Sequence, residues 1–300
     1  MFENWPSKIP SGNWNLFRKT MRVEERQRLA HSFAEKIRNR NSMNWKSNDI
    51  EPLKKDGVQF LDNLLTTEQC AEMYDYFYQQ PCYDFYNSHE KFSIKNTPKH
   101  IRLGRHTLKT NLLAPNMVDI ITNEGLISMA SEYLNAPATL SLMLPMWSFN
   151  NNETAKNINM QLFHRDCDDF KNLKLFVLLS DTEDKNGNQT YVKTSHVKQD
   201  LPLSLHEIKR YSDESVMTYF SKDDTMNIHG NKGLTWFADT YGIHKGTPPN
   251  LTTSNRLLFQ LQFTYSPVSI FNYKPAMFSR WDQLSDLVKY STRLYLRSPK

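Results

Sequence analysis

The chain is short of the residues that would assign it to a specialised class. Three cysteines (Cys70, Cys82, Cys167) are an odd number at no metal-ligand spacing. They neither staple a small secreted domain nor build a thiolate metal site, and they fit a reducing compartment. Nine glycines in 300 residues exclude a fibrous or linker-rich chain. The longest apolar run, LFVLL at 175 to 179, is far below the roughly 20 residues of a membrane span, so no span is expected. The opening MFENWPSKIPSG lacks a basic stretch followed by an apolar one. No signal peptide is therefore expected, and the cytoplasm is the expected location. A charge excess is also missing from most of the chain: residues 1–56 hold 12 Lys/Arg against 7 Asp/Glu, which accounts for the whole net charge of +5. Glutamates interrupt that basic stretch, so it reads as the solvated side of a helix and no nucleic-acid partner is expected.

What is present is material for a sizeable core, with 39% hydrophobic and 12% aromatic residues. Within a basic extension over 1–50, VEERQRLAHSFAEKIRNRN (23–41) places Leu29, Phe33 and Ile37 at steps of four and predicts an amphipathic helix packed on the remainder. Residues 66–80 and 115–135 are helical by pattern, with Thr66 or Thr67 as the cap of the first. From 138 onward strands dominate: ATLSLMLPMWSF, INMQLFH, LKLFVLLS, QTYVK, VMTYF, GLTWFA and RLLFQLQFTY, separated by Asn, Asp, Gly and Pro clusters. About eight strands after a helical half predict a mainly β domain with flanking helices over 51–270, a double-stranded β-helix or jelly-roll barrel. Residues 271–300 are expected to fold back as a helix around Trp281 to Tyr295.

The chemistry is concentrated at His164-Arg165-Asp166, followed 78 residues later by His244 and twelve after that by Arg256. On a strand, His164 and Asp166 point to one face and Arg165 to the other. Cys167 likewise points away and reads as structural. Two imidazoles and one carboxylate in facial arrangement suit Fe(II) and leave three positions open for a bidentate cosubstrate and dioxygen. The guanidinium of Arg256 suits a carboxylate in bidentate geometry, as the distal end of 2-oxoglutarate requires. His196 and His229 are rival third ligands, but His196 has no arginine at a useful distance and His229 precedes a loop. An HRD also occurs in kinase catalytic loops, yet the position five after the Asp is Lys171 rather than Asn, and no Gly-rich loop is present. A hydrolytic zinc site would leave Arg256 without a partner.

These residues carry a family resemblance. The runs FHRDCDDFKNLKLFVLLSDTEDKNGNQTYVKTSH (163–196) and FADTYGIHKGTPPNLTTSNRLLFQLQF (237–263), with EPLKKDGVQFLDNLLTTEQCAEMYDYF (51–77) upstream, resemble the phytanoyl-CoA dioxygenase family of Fe(II)- and 2-oxoglutarate-dependent oxygenases. The resemblance covers about residues 51–266. It implies His164, Asp166 and His244 as iron ligands and Arg256 as the 2-oxoglutarate anchor. It also implies a reaction that uses O2 to hydroxylate, or otherwise oxidise, a C–H bond and yields succinate and CO2. Many members place Ser two residues after the distal His, where this chain has Gly246, so Thr247 is the candidate to replace that contact. Lys174, opening LKLFVLLS, faces either the cosubstrate or solvent, and snorkelling is the commoner outcome at a strand end.

On the strand that begins at Arg256, alternation puts Leu258, Gln260, Gln262 and Thr264 on the same face, and Leu257, Phe259, Leu261, Phe263 and Tyr265 on the other. The polar face favours a small polar substrate; the greasy face needs helices over it. Loop residues Tyr83, Phe85, Tyr86, Arg102, Arg105, His106 and Lys109 are candidates for the substrate pocket. The expected protein is a monomeric or dimeric oxygenase. The alternatives are a jelly-roll binding protein without catalysis, or an oxygenase acting on a carrier- or CoA-linked substrate.

Overall fold

A computed structural model describes residues 22–150, 162–207, 209–249, 255–267 and 273–299. Its frame is an antiparallel sheet of eight strands in the order β1-β9-β6-β11-β5-β4-β2-β3. In chain order these are β1 (Val58–Leu61), β2 (Cys82–Asp84), β3 (Lys91–Phe92), β4 (Leu103–Arg105), β5 (Thr139–Ser148) and β6 (Asn172–Leu178). β7 (Gln189–Val192), β8 (Thr225–Ile228) and β10 (His244–Gly246) form a second sheet in the order β10-β7-β8, while β9 (Thr235–Ala238) and β11 (Arg256–Thr264) complete the first. The molecule is thus mainly β with flanking helices, in a jelly-roll-like arrangement.

The expected alternation along β11 holds where it matters. Every residue of β11 and β6 is buried, because the two faces of the sheet are covered by different things. Leu257, Phe259, Leu261 and Phe263 join Leu173, Leu175 and Val177 in the large core under the helices. Leu258 packs with Phe176, Leu178, Tyr191 and Trp236 in a smaller core between the sheets. The register of β11 against β5 slips once, leaving Ser141 unmatched between Leu142 and Leu140, a bulge of the kind that bends a strand.

Helix boundaries follow local capping. Thr66 caps Thr67–Gln79 in a reciprocal arrangement with Gln69. The single helix expected over 115–135 is two, Met117–Ile121 and Glu124–Leu134, because the Asn123 side chain accepts from Leu126 N and starts the second. Helix Val23–Arg40 exists, but its buried stripe is Val23, Arg26, Ala30, Ala34 and Ile37 rather than a row centred on Leu29 and Phe33. Arg26 tolerates burial because its guanidinium donates to Cys167 Sγ and to the Asp169 carbonyl and lies 4.1 Å over the Tyr241 ring.

One expected strand is not a strand, and another is described only at its end. VMTYF (216–220) follows Ser212, whose side chain accepts from Ser215 N and caps helix Asp213–Met217; the strand comes later, at β8. Within INMQLFH, residues 158–161 lie outside the described residues, and Phe163 and His164 make only isolated bridges, to Tyr211 and His244. The expected C-terminal helix is a short turn at Trp281–Gln283 followed by Asp286–Thr292, capped by Ser285.

Candidate metal centre

Although His164 lies in no regular strand, its backbone does what a strand would do. His164 N donates to His244 O at 2.9 Å and His244 N returns a bond to His164 O at 3.0 Å. This reciprocal pair holds the two imidazoles side by side, with ring centroids 4.3 Å apart. Two residues on, Asp166 N donates to Thr240 O at 2.8 Å. Asp166 Oδ1 then lies 3.7 Å from His164 Nε2, and Oδ2 lies 3.6 Å from His244 Nε2. Arg165 points the other way, fully buried, donating to the carbonyls of Leu205, Ser195 and Tyr241.

The turn before His244 is held from outside the site. Asp239 accepts from Tyr241 N and, at 2.6 Å, from the Tyr133 hydroxyl. Thr240 Oγ1 accepts from Asn172 Nδ2, and the Tyr191 hydroxyl donates to Asp239 O. At Gly242 any Cβ would overlap the Tyr191 hydroxyl, so only glycine lets the turn pass this close.

Both imidazoles have their tautomer set. His164 Nδ1 lies 2.9 Å from Leu162 O, and His244 Nδ1 lies 2.9 Å from Gly242 O. A carbonyl can only accept, so Nδ1 carries the proton and the Nε2 lone pair is free to face Asp166. Burial keeps both rings neutral, pushing His164 down to about 3 and lowering His244. Burial alone would raise the Asp166 carboxyl, but the Lys174 ammonium beside it outweighs that and holds it well below the usual carboxylate range. These three residues are, among the described residues, the group whose His and acid atoms come within 4.8 Å of one another. Two nitrogens and one hard oxygen, with no thiolate, suit a divalent transition metal. His196 instead meets Lys54 O, and His229 is exposed, so neither joins the group.

Lys174 does not snorkel. It is 8% exposed, and its Nζ sits 2.6 Å from Asp166 Oδ2. Both residues line a pocket of about 100 Å³ together with His164, His244, Gly246, Thr247 and Arg256. Such a space is several times the roughly 10–15 Å³ that one water needs. The described part of the pocket is completed by apolar walls at Phe176, Leu258 and Met146 and by the amides of Gln189 and Gln260.

Arg256 is buried in the wall, with Nη1 donating to Gly187 O at 2.7 Å and Nη2 to Ser148 Oγ at 3.2 Å. Its Nε has no partner, no carboxylate among the described residues pairs with it, and burial drags the guanidinium down to about 10. A buried cation with a free donor edge on a pocket calls for an anion from outside the chain.

Of the expected loop residues, Tyr86 and Arg102 reach the pocket. His106 does not: its Nδ1 meets Pro81 O, and its Nε2 accepts from Trp147 Nε1 at 2.9 Å. Tyr83 and Arg105 pair across β2 and β4, and neither they, Phe85 nor Lys109 lines the pocket. Sequence reasoning missed Ser148 and the Gly187 carbonyl, the groups that aim Arg256. They lie 108 and 69 residues away along the chain, and no local pattern marks them.

No family model matches the chain, and no curated protein matches it in sequence. Solved structures do match in fold. HygX from Streptomyces hygroscopicus, with nickel and 2-oxoglutarate bound, aligns with a TM-score of 0.51 at 14% identity, covering 78% of this chain and 91% of that one. EctD from S. alaskensis, with 2-oxoglutarate and 5-hydroxyectoine, aligns with a TM-score of 0.50 at 14% identity, covering 75% and 80%. At such identity the likeness establishes one thing, that this chain shares their fold.

Proposed function

We propose that this protein is an Fe(II)- and 2-oxoglutarate-dependent oxygenase of the phytanoyl-CoA dioxygenase type, built on a double-stranded β-helix over residues 51–270. The basic segment 1–50 and the segment 271–300 would flank that domain, in a cytoplasmic protein. The observation that carries the reading is a single pocket in which two Nε2 lone pairs and a carboxylate converge beside a buried guanidinium that has no counter-ion among the described residues.

In this reading His164, Asp166 and His244 hold the metal, and Arg256 holds the distal carboxylate of 2-oxoglutarate, since no carboxylate among the described residues pairs with it. Iron(II) with 2-oxoglutarate and O2 supplies an oxidant able to break an unactivated C–H bond, with succinate and CO2 as co-products. The chain's share is placement. The Nδ1 bonds to Leu162 O and Gly242 O keep each imidazole in the ligating tautomer. Lys174 neutralises Asp166 through Oδ2 and lines the pocket beside the cosubstrate's place. Thr247 lines the same wall, its own amide tied to Asn188 O at 2.8 Å. Phe176, Leu258 and Met146 keep water from the reacting atoms. Because Asp166 keeps the coordination position that a halide would need, the reaction is oxygenation of a small polar molecule rather than halogenation.

The test is anaerobic titration of the metal-free protein with Fe(II) and then 2-oxoglutarate. A weak visible charge-transfer band is expected, lost in His244→Ala and demanding far more 2-oxoglutarate in Arg256→Ala. Absence of both the band and any metal-dependent 2-oxoglutarate binding in the wild type would remove the assignment.

A further inference from the structure

Among the described residues that line the pocket, Asp166 is the one carboxylate, set against three cations: Lys174, Arg256 and Arg102. Asp166 is already taken up by Lys174. If the pocket also holds one divalent metal and one dicarboxylate cosubstrate, as the proposed function requires, their charges cancel and a positive charge remains before Arg102 is counted. Leaving such an excess uncompensated at low dielectric is costly.

Arg102 is placed to use that excess. It precedes β4, and its carbonyl accepts from Phe149 N at 2.9 Å, which fixes the backbone beside the end of β5. Its half-buried guanidinium makes no hydrogen bond or ion pair to any described residue. Leu103 and Arg256 both pair with Ser148, from opposite sides of β5. The backbones of Arg102 and Arg256 therefore stand about two strand spacings, roughly 10 Å, apart, on either side of β5.

A fourth cation lies on the segment that bridges to Phe163. Tyr211 N donates to Phe163 O at 2.8 Å, which brings exposed Arg210 next to the His164 segment. The neighbouring Lys245 contributes less to the excess, since Asp213 pairs with it at 2.6 Å. Two further polar groups point the same way: Gln189 Oε1 is buried without a partner, and Gln260 Nε2 has only Met146 Sδ at 3.8 Å.

We propose that the molecule oxidised by this protein carries an anionic group, a carboxylate or a phosphate ester, that sits on Arg102 with Arg210 at the rim, while its remaining polar groups meet Gln189 and Gln260. This rests on the oxygenase reading and narrows its substrate from polar to acidic.

The experiment uses the full chain loaded with Ni(II) and 2-oxoglutarate. Calorimetry first measures metal-dependent 2-oxoglutarate uptake; failure at that step sinks the oxygenase reading and is separate from the question of substrate charge. The loaded protein is then incubated with a library of metabolites in matched acid and amide, and phosphate and alcohol, pairs, ultrafiltered, and the retained compounds identified by mass spectrometry. Retention of acids over their neutral partners is expected, and the class retained separates carboxylate from phosphate. A charged hydrogen bond lost on the pocket wall should weaken retention roughly tenfold to a hundredfold in Arg102→Gln. Arg102→Lys should recover part of it. Arg105→Gln, which removes the same charge from a residue that does not line the pocket, should retain as the wild type does. Preferential retention of neutral or cationic compounds, or equal retention by Arg102→Gln and Arg105→Gln, overturns the proposal.

Discussion

Replacing Arg256 by Met separates what this residue costs the fold from what it gives the site. Burial moves its guanidinium from 12.5 to about 10, a penalty of roughly 3 kcal/mol at about 1.4 kcal/mol per unit. The substitution forfeits the bonds to Gly187 O and Ser148 Oγ, each worth about 1 kcal/mol net. The ligand-free variant should therefore be about 1 kcal/mol more stable than the wild type, since Met fills the stem's volume. Binding runs the other way. Loss of a desolvated charge pair costs about 3 to 5 kcal/mol, whereas 2-oxoglutarate at a hundred times its dissociation constant stabilises the wild type by about 2.7 kcal/mol. Urea denaturation of the Ni(II)-loaded protein, with and without 2-oxoglutarate, reads both quantities. The expected pattern is a variant with a higher midpoint alone and no response to 2-oxoglutarate. A variant destabilised by more than about 2 kcal/mol that still responds in full would show that Arg256 is a structural cation.

Ligand substitutions should be quieter for the fold: His244→Ala is expected to abolish Ni(II) binding by calorimetry while leaving the far-ultraviolet circular dichroism unchanged. Lys174→Met leaves Asp166 without its 2.6 Å partner. The metal-free protein should lose about 2 kcal/mol, less than the roughly 3 to 5 of a fully buried pair because the Asp166 side chain is 23% exposed, and Ni(II) should restore most of it; a loss that Ni(II) does not touch would refute this. For pH, burial pushes His106 from 6.5 down to about 4, so between those values the unfolded chain binds a proton that the folded chain refuses. Stability is then complete above about pH 6.5 and falls as pH drops toward 4, by on the order of 3 kcal/mol for this residue. His106→Gln, followed by urea titrations at several pH values, should flatten that slope, and an unchanged slope would exclude His106 as a contributor.

Much of this site was legible in the chain because two of its requirements are local. The HxD spacing puts His164 and Asp166 on one side of an extended backbone and Arg165 on the other, whether or not a ladder forms, since the side-chain period of two belongs to the backbone conformation itself. The same period along β11 sorted the greasy residues from Arg256, Leu258 and Gln260 before any partner strand was known. Capping chemistry did as much for helix Thr67–Gln79. Where β propensity and a cap competed, at VMTYF, Ser212 started a helix and the aromatic-rich stretch did not become a strand.

Long-range register was needed for the rest. Which histidine joins His164 and Asp166 depends on the bridge between His164 and His244, which lie 80 residues apart, and on the Tyr191 hydroxyl packed against Gly242. Lys174 faces Asp166 rather than water because β6 lies between β9 and β11, in the middle of the sheet rather than at its edge. Arg26, on the polar-looking side of its helix, is buried because Cys167, Asp169 and Tyr241 meet it there. Period and capping are written in neighbouring residues and can be read from them. The partner that a buried charge finds is set by which distant strands pair, and so by the packing of the whole core.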